Sequence, residues 1–512
     1  MTKTIIDYLK TASETLPKNT AVICAEDAIN YQELDQLSEK IALGLRTLGI
    51  VQGDNIGIYM NKSIAAIVSI YAILKLGCCY VPISTDSPNN RTSGIIKNCA
   101  IQHILIQDSL VEKKQRFFQE AGGNCISSKL LLETVKINKQ QSFISPQFTG
   151  KQAAAILHTS GTTGVPKGAV ITHQNLSVFT SWAVSAFNLQ ANDNLLSHAP
   201  LQFDLSFFDI FAAVAASATN VLATSADTAN AARMINLVTR TNVTVWQSVP
   251  SALTLQVISK KAKNQPQTMP SVHSVIFAGE RMPRSTLLGI AELFPKARFY
   301  NIYGCTETNN TFMYPLPKKL SNAPDPLPIG KALPHIRYRI VDSSGSNVIP
   351  GSKGHLLVAG KTIMAGYIAL DKNGSPAYHN NNCSNAFYPT NDMVSEQNKG
   401  ELHFHGRLDN IIKSNGYRIN LTEIEDHLQQ SHKFVEVAVL SEPDNLIGNR
   451  IIAIVKPKST ESCSILELKL FCAETLPKYA IPHRFYLSSN ALPKGNTGKI
   501  DKRQVAKMWQ LA

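Results

Sequence analysis

The run Thr159-Ser160-Gly161-Thr162-Thr163-Gly164-Val165-Pro166-Lys167-Gly168 constrains the fold of this chain more than any other stretch. Its glycines let the backbone approach an anion closely, successive amides can form a nest, the Ser and Thr hydroxyls add donors, and Lys167 adds charge. That combination suits a polyphosphate. Residues 153–158 before it form an apolar run fit for a buried strand, and Thr172-His173-Gln174-Asn175-Leu176 after it reads as a helix start. The run is not the common P-loop, because Lys167 precedes Gly168 where that motif needs the Ser or Thr that holds magnesium. A kinase or simple ATPase is therefore disfavoured.

At 512 residues the chain exceeds one ordinary core, and 44% hydrophobic with 17% charged residues describes a folded chain rather than a disordered one. Strand-like runs at 243–247, 272–278 and 298–302 alternate with longer mixed segments, the texture of an α/β layered architecture. The apolar segment 64–76 is too short for a membrane span and reads as a buried helix. Near Gly406-Arg407-Leu408-Asp409-Asn410 the texture changes. Helices are expected at 423–430 and 466–476, strands at 435–440 and 451–455, and a basic helix after Lys499 reaching Trp509. A hinge around Asp409 divides the chain into a large domain, 1–408, and a small one, 409–512.

The first ten residues are too polar for a secretory signal, so cytoplasmic residence is expected. Nine cysteines at 24, 78, 79, 99, 125, 305, 383, 463 and 472 match neither zinc-site spacing nor a disulfide lattice. The formal charge of +13 is dispersed without any nucleic-acid recognition motif, which leaves an acidic protein as the more economical partner.

Three further places carry chemistry. Gly304-Cys305-Thr306-Glu307-Thr308 follows the strand-like run 298–302, where a carboxylate can help place magnesium and Thr306 can donate to a phosphate; taken alone, Glu307 reads as a helix-start residue. Asp392, after Pro389-Thr390-Asn391, is an acceptor for a ribose diol or an ordinary turn residue. Lys499, after the glycine-rich turn Gly495-Asn496-Thr497-Gly498, can neutralise the charge that develops as a carboxylate attacks ATP.

Taken together and in this order, these elements resemble the adenylate-forming superfamily, and more closely the adenylation domains of nonribosomal peptide synthetases. The resemblance spans almost the whole chain. It includes Leu74-Lys75-Leu76-Gly77, the run from Thr159, Phe203-Asp204-Leu205-Ser206, Gly304 to Glu307, Gly366-Tyr367, Asp392, Gly406-Arg407-Leu408-Asp409, Gly416-Tyr417-Arg418-Ile419, Leu476-Pro477-Lys478-Tyr479 and Lys499. It implies a large multi-subdomain N-terminal domain with a small mobile α+β C-terminal domain, and an ATP- and Mg2+-dependent ligase. Thr159, Ser160, Gly161, Thr162, Thr163, Gly164 and Lys167 would hold the pyrophosphate part of ATP and Tyr303 would stack near adenine. Thr306 and Glu307 would serve phosphate and metal, Asp392 and Arg407 the nucleotide, and Lys499 the transition state. Asp409 would be the hinge. Three positions depart from the pattern: Cys305 replaces a proline, His355 an acidic residue, and Asn391 the glycine of a Thr-Gly-Asp element.

Asp204 matches the aspartate that pairs with a substrate's α-ammonium in amino-acid-activating relatives, and burying either charge alone would be costly. The side-chain pocket maps onto Leu205, Phe208, Gln247, Ile276, Ala278, Ile302, Asn310 and Thr311, a lining for a small or medium neutral side chain. Beginning a pocket with Asp204 and Leu205 resembles free-standing enzymes that load L-proline onto a dedicated carrier, including those of pyrrole and cyanobacterial alkaloid pathways such as anatoxin synthesis. Alternatives are a D-alanyl-carrier protein ligase, another small neutral amino-acid ligase, an acyl-CoA ligase, which Asp204 disfavours, and a catalytically retired nucleotide- or carrier-binding protein. The sequence ends thirteen residues after Lys499, so the expected acceptor is the phosphopantetheine thiol of a separate acyl or peptidyl carrier protein.

Overall fold

The computed structural model describes residues 3–136, 143, 146, 149–159, 167–263, 268–370, 376–380, 386–397, 400–431, 433–458, 464–494 and 500–511. Among these, two large sheets dominate the N-terminal part. One runs in the order Lys331–Ala332, Asn309–Pro315, Arg298–Cys305, Ser274–Ala278, Val245–Ser248, Asn194–Ser197, Thr219–Leu222, Thr20–Cys24, Asp27–Asn30. The other runs Pro376–Asn380, Gly366–Leu370, Lys167–Thr172, Ala153–Thr159, Cys79–Pro82, Asn55–Tyr59, His103–Ile106, Asn124–Ser127.

Both sheets have mostly parallel centres, and a parallel strand must be covered on both faces. Alternation along each strand decides which residue meets which cover. Val245, Ile276 and Ile302 share a core with Ala155, Leu157 and Ile171 of the second sheet, with the helices Tyr31–Thr47, Ile64–Lys75 and His173–Ala186 packed in the same core. Their neighbours Trp246, Val275 and Phe277 point the other way, onto the helices Ala231–Arg240 and Arg284–Leu293. The apolar segment expected to be a buried helix is Ile64–Lys75, capped by the Ser63 hydroxyl and buried on all sides from Ala66 onward. Even Lys75 is only 3% exposed, its ammonium held by Asp35 at 2.5 Å. Each aliphatic side chain so enclosed contributes roughly 1.5–3 kcal/mol.

The helix start expected at Thr172 is observed, and before it lies a strand that the sequence reading did not include: Ala153–Thr159 and Lys167–Thr172 pair antiparallel, Thr159 facing Lys167. The helix starts only after that second strand, with Thr172 and Asn175 as its reciprocal cap. The strand read as ending at 302 continues to Cys305 and turns back into Asn309–Pro315, so Glu307 sits in a tight hairpin turn rather than at a helix start.

A four-stranded antiparallel sheet, Ile336–Val341, Lys353–Gly360, Tyr388–Gln397 and Glu401–Arg407, follows. From Arg407 the chain passes through residues 408–410 into the hairpin Ile411–Ser414 and Tyr417–Asn420. Beyond it, Phe434–Asp444, Gly448–Pro457 and Arg484–Leu487 form a three-stranded sheet covered on one face by Leu421–Gln430 and Ile465–Thr475 and on the other by Lys502–Met508. No helix among the described residues is long and apolar enough to cross a membrane.

Candidate active site

The site lies where the edges of both large sheets, the four-stranded sheet and the Ile411–Asn420 hairpin converge. Thr159 is buried at the end of its strand, and Lys167 begins the return strand with its ammonium 5.9 Å from the centre of the Tyr367 ring. Between them, Ser160, Gly161, Thr162, Thr163 and Gly164 lie outside the described residues, as does Lys499. Gly168 has a steric reason of its own: a Cβ there would come within 2.6 Å of the Ile156 side chain and 2.8 Å of Ile368.

The Cys305–Asn309 turn projects Thr306 and Glu307. Asn309 takes φ +55°, Thr308 N–H donates to Cys305 O at 2.9 Å, and a Cβ on Gly304 would lie 1.9 Å from Asn309 O. Thr306 is half-buried; Glu307 is 0% exposed. Its carboxylate accepts from Arg418 Nη1 at 2.6 Å on each oxygen and from the Tyr367 hydroxyl at 2.7 Å. Burial alone would raise its pKa, but Arg418 and the hydroxyl outweigh that and hold it at about 2.

Cys305 is half-buried beside this carboxylate, its Sγ 3.3 Å from Thr308 Oγ1. Burial first and Glu307 second push the thiol up to about 12, so at neutral pH it is protonated and poorly nucleophilic. The same direction holds for the other described cysteines, 24, 78, 79, 99, 125 and 472, all of them free thiols with burial as the leading cause. Cys305→Ala is accordingly expected to keep catalytic turnover within about threefold and to cost ~1 kcal/mol of stability. Loss of turnover from a folded, ATP-binding variant would reassign Cys305.

Asn391 adopts φ +61°, the left-handed region, and Asn is among the non-glycine residues that enter it most readily. The departure from Thr-Gly-Asp thus preserves the irregular strand backbone that presents Asp392. That carboxylate accepts from the Tyr303 hydroxyl and from Arg407 Nη1 at 2.6 Å. Arg407 also holds Asp409 through Nε at 2.7 Å and Nη2 at 2.8 Å. Burial pushes Asp392 up against the pull of Arg407, whereas the Arg407 hydrogen bonds keep Asp409 low despite its burial. One guanidinium therefore ties the expected ribose acceptor to the expected hinge residue.

Several of the residues expected to line the side-chain pocket come together by strand register. Gln247 pairs with Ile276 and Ala278 with Ile302 across parallel strands, and alternation sets their side chains on one face. Phe208, Ile276, Ala278 and Ile302 belong to one core with Leu205 packed against it, while Asn310 and Thr311 lie on the returning strand. Gln247 Nε2 donates to Leu205 O at 3.4 Å, and Thr311 Oγ1 to Tyr303 O at 3.1 Å. Asp204 accepts from Leu205 N–H at 3.1 Å; burial pushes its carboxyl upward, and the Lys413 cation opposes that.

Sequence reasoning assigned no role to Lys413, Tyr367, Glu280 or Arg418. Lys413 and Arg418 arrive on the small-domain hairpin, which is fastened to the large domain at several points. Gly416 N–H donates to Glu280 Oε1 at 2.5 Å and the Tyr417 ring meets Phe203 at 5.0 Å, while on the helix that follows the hairpin Glu423 Oε1 accepts from Arg91 Nη1 at 3.1 Å. Gly416 has φ +79° and packs where a Cβ would strike Val249 at 2.8 Å. Its place inside Gly416-Tyr417-Arg418-Ile419 was the available signal that this hairpin bears on the site.

A family model described as AMP-binding enzyme matches residues 9–368, and that of the AMP-binding enzyme C-terminal domain matches 423–499. The chain belongs to the AMP-binding enzyme family. As a member it is an enzyme of the adenylate-forming ligase type, and membership implies use of ATP and Mg2+. An L-proline–[L-prolyl-carrier protein] ligase of Streptomyces coelicolor is 30% identical over 516 aligned positions, covering 96% of this chain and 95% of that protein. A D-alanine–D-alanyl carrier protein ligase of Bacillus licheniformis is 28% identical, covering 98% of each. The solved structure of an amide bond synthetase from Marinactinospora thermotolerans superposes with a TM-score of 0.85 at 20% identity, covering 98% of this chain and 99% of that one, a likeness of fold.

The chemistry of Glu307 fits the metal this AMP-binding enzyme implies. It is a buried carboxylate that already accommodates a cation, the Arg418 guanidinium, and magnesium commonly takes one or two protein carboxylates with substrate phosphates and water. No group of three or more His, Cys, Asp or Glu among the described residues forms a metal cage.

Proposed function

We propose that the chain is an amino-acid:carrier-protein ligase, forming aminoacyl-AMP and pyrophosphate and then passing the aminoacyl group to the phosphopantetheine thiol of a separate carrier. The observation that carries the reading is Asp204: an acid pushed upward by burial, next to Leu205 on the edge of the apolar core, with the Lys413 cation opposing that shift. A substrate ammonium is the natural occupant of that position, whereas a simple acyl substrate offers no charge to balance it.

Thr159, Lys167 and the run between them hold the triphosphate in this scheme. Asp392, set by Tyr303 and Arg407, takes the ribose hydroxyls, and Tyr303 lies against adenine. Thr306 donates to the α-phosphate, Glu307 holds the metal, and Lys499 meets the charge that develops on attack. Magnesium, when bound, spreads phosphate charge as the carboxylate attacks. In the second step the carrier's thiolate attacks the acyl carbon, and AMP leaves with the bonding electrons.

L-proline is the first choice of substrate, because the apolar character of Phe208, Ile276 and Ile302, among the residues expected to line the pocket, suits a compact ring. D-alanine is the second, and one observation favours it. The buried Gln247 Oε1 accepts no hydrogen bond from a described residue, and a primary ammonium carries one more N–H than the secondary ammonium of proline. Pyrophosphate release over a full amino-acid panel, with both enantiomers and Mg-ATP, separates them. Intact mass of a supplied holo-carrier then reads the transfer. Release with fatty acids and none with any amino acid would overturn the proposal.

A further inference from the structure

Both oxygens of Glu307 are claimed by a single cation from the other domain. Arg418 Nη1 stands 2.6 Å from each, the carboxylate side chain is 1% exposed, and the second donor is the Tyr367 hydroxyl. A magnesium ion would need the same oxygen lone pairs at about 2.0–2.1 Å and would bring a like charge against the guanidinium. Leaving the buried carboxylate with neither cation is costly, so one occupant must replace the other.

Arg418 does not move alone. It lies on the strand Tyr417–Asn420, in the hairpin that Glu280 grips at Gly416 and that Phe203 meets through Tyr417. Withdrawing the guanidinium from Glu307 therefore loosens this fastening, and docking the hairpin delivers the guanidinium.

From this geometry we infer that Arg418 and magnesium are alternative occupants of Glu307, so that the hairpin docks only when the metal has left and the returning metal drives it out. The occupant of Glu307 would thereby set the position of the hairpin: a carboxylate vacated by the metal would capture Arg418. The inference rests on the proposed role of Glu307 in holding the metal, and it assigns Arg418 a positioning role.

Hydrogen exchange of the amides in 411–420, read by mass spectrometry on the full chain with ATP present, tests it. Mg2+ is titrated at constant ionic strength against NaCl. In the wild type, protection of the hairpin is expected to fall about tenfold as Mg2+ saturates. Arg418→Met and Glu307→Gln are expected to exchange fast throughout, with no response to the metal. A second probe is Mn2+ with ATP: Arg418→Met is expected to bind it several-fold more tightly than the wild type, whereas Arg418→Lys, which keeps the charge, falls between. Wild-type protection that stays flat across the titration, or an Arg418→Met variant as protected and as metal-responsive as the wild type, overturns the inference. Pyrophosphate release is scored separately. Its absence for every amino acid sinks the proposed reaction and leaves the exchange result standing, whereas a flat titration with intact release sinks this inference alone.

Discussion

Asp204→Asn is expected to lower kcat/KM for the amino acid roughly a hundredfold to several-thousandfold, the equivalent of the ~3–5 kcal/mol lost when one partner of a buried ion pair is removed. The replacement keeps the shape and the oxygen that accepts from Leu205 N–H at 3.1 Å, so folding and ATP binding should be unchanged. The loss should fall mainly on KM, because the carboxylate grips the ammonium in ground state and transition state alike. A matching pH effect follows. Burial raises this carboxyl, and a neutral acid cannot pair with an ammonium; amino-acid KM should rise as pH falls, beginning above the range in which an ordinary aspartate titrates. A wild-type-like KM in Asp204→Asn would remove the argument for an amino-acid substrate.

Lys499→Ala is expected to have a comparable effect on a different quantity. Removing a donor aimed at developing charge costs roughly 2.7–4 kcal/mol, or about 10²–10³ in kcat. Pyrophosphate formation should drop by that factor with ATP affinity nearly intact. Carrier loading from chemically supplied aminoacyl-AMP should survive, because the lysine is assigned to the first step alone. If both half-reactions fell together, the residue would be a general binder of the nucleotide.

What was legible in the sequence was whatever depends on neighbours along the chain. Branched apolar runs at 243–247 and 272–278 become Val245–Ser248 and Ser274–Ala278, and the cap at Thr172 starts the helix His173–Ala186. Asp392 and Arg407, read as separate positions, prove to be register partners on adjacent strands. The unread part is non-local. Arg418 meets Glu307 across 111 residues, and Gly416 meets Glu280 across 136; no local period or spacing encodes such pairings. The strand 298–302 was read short because Gly304 and Cys305 lack apolar character, yet backbone pairing with Asn309 and Asn310 carries the ladder to Cys305. Likewise the strand Lys167–Thr172 begins with Lys167 and Gly168, which disguise it, and Gly168 is there because neighbouring side chains leave no room for a Cβ.

The protonated state of the described thiols bears on self-inflicted damage. An acyl-adenylate is an indiscriminate electrophile, and a resident thiolate such as an ionised Cys305 would intercept it before any carrier arrived. With burial keeping that sulfur and the six other described ones protonated, none of these seven competes as a thiolate for the acyl group.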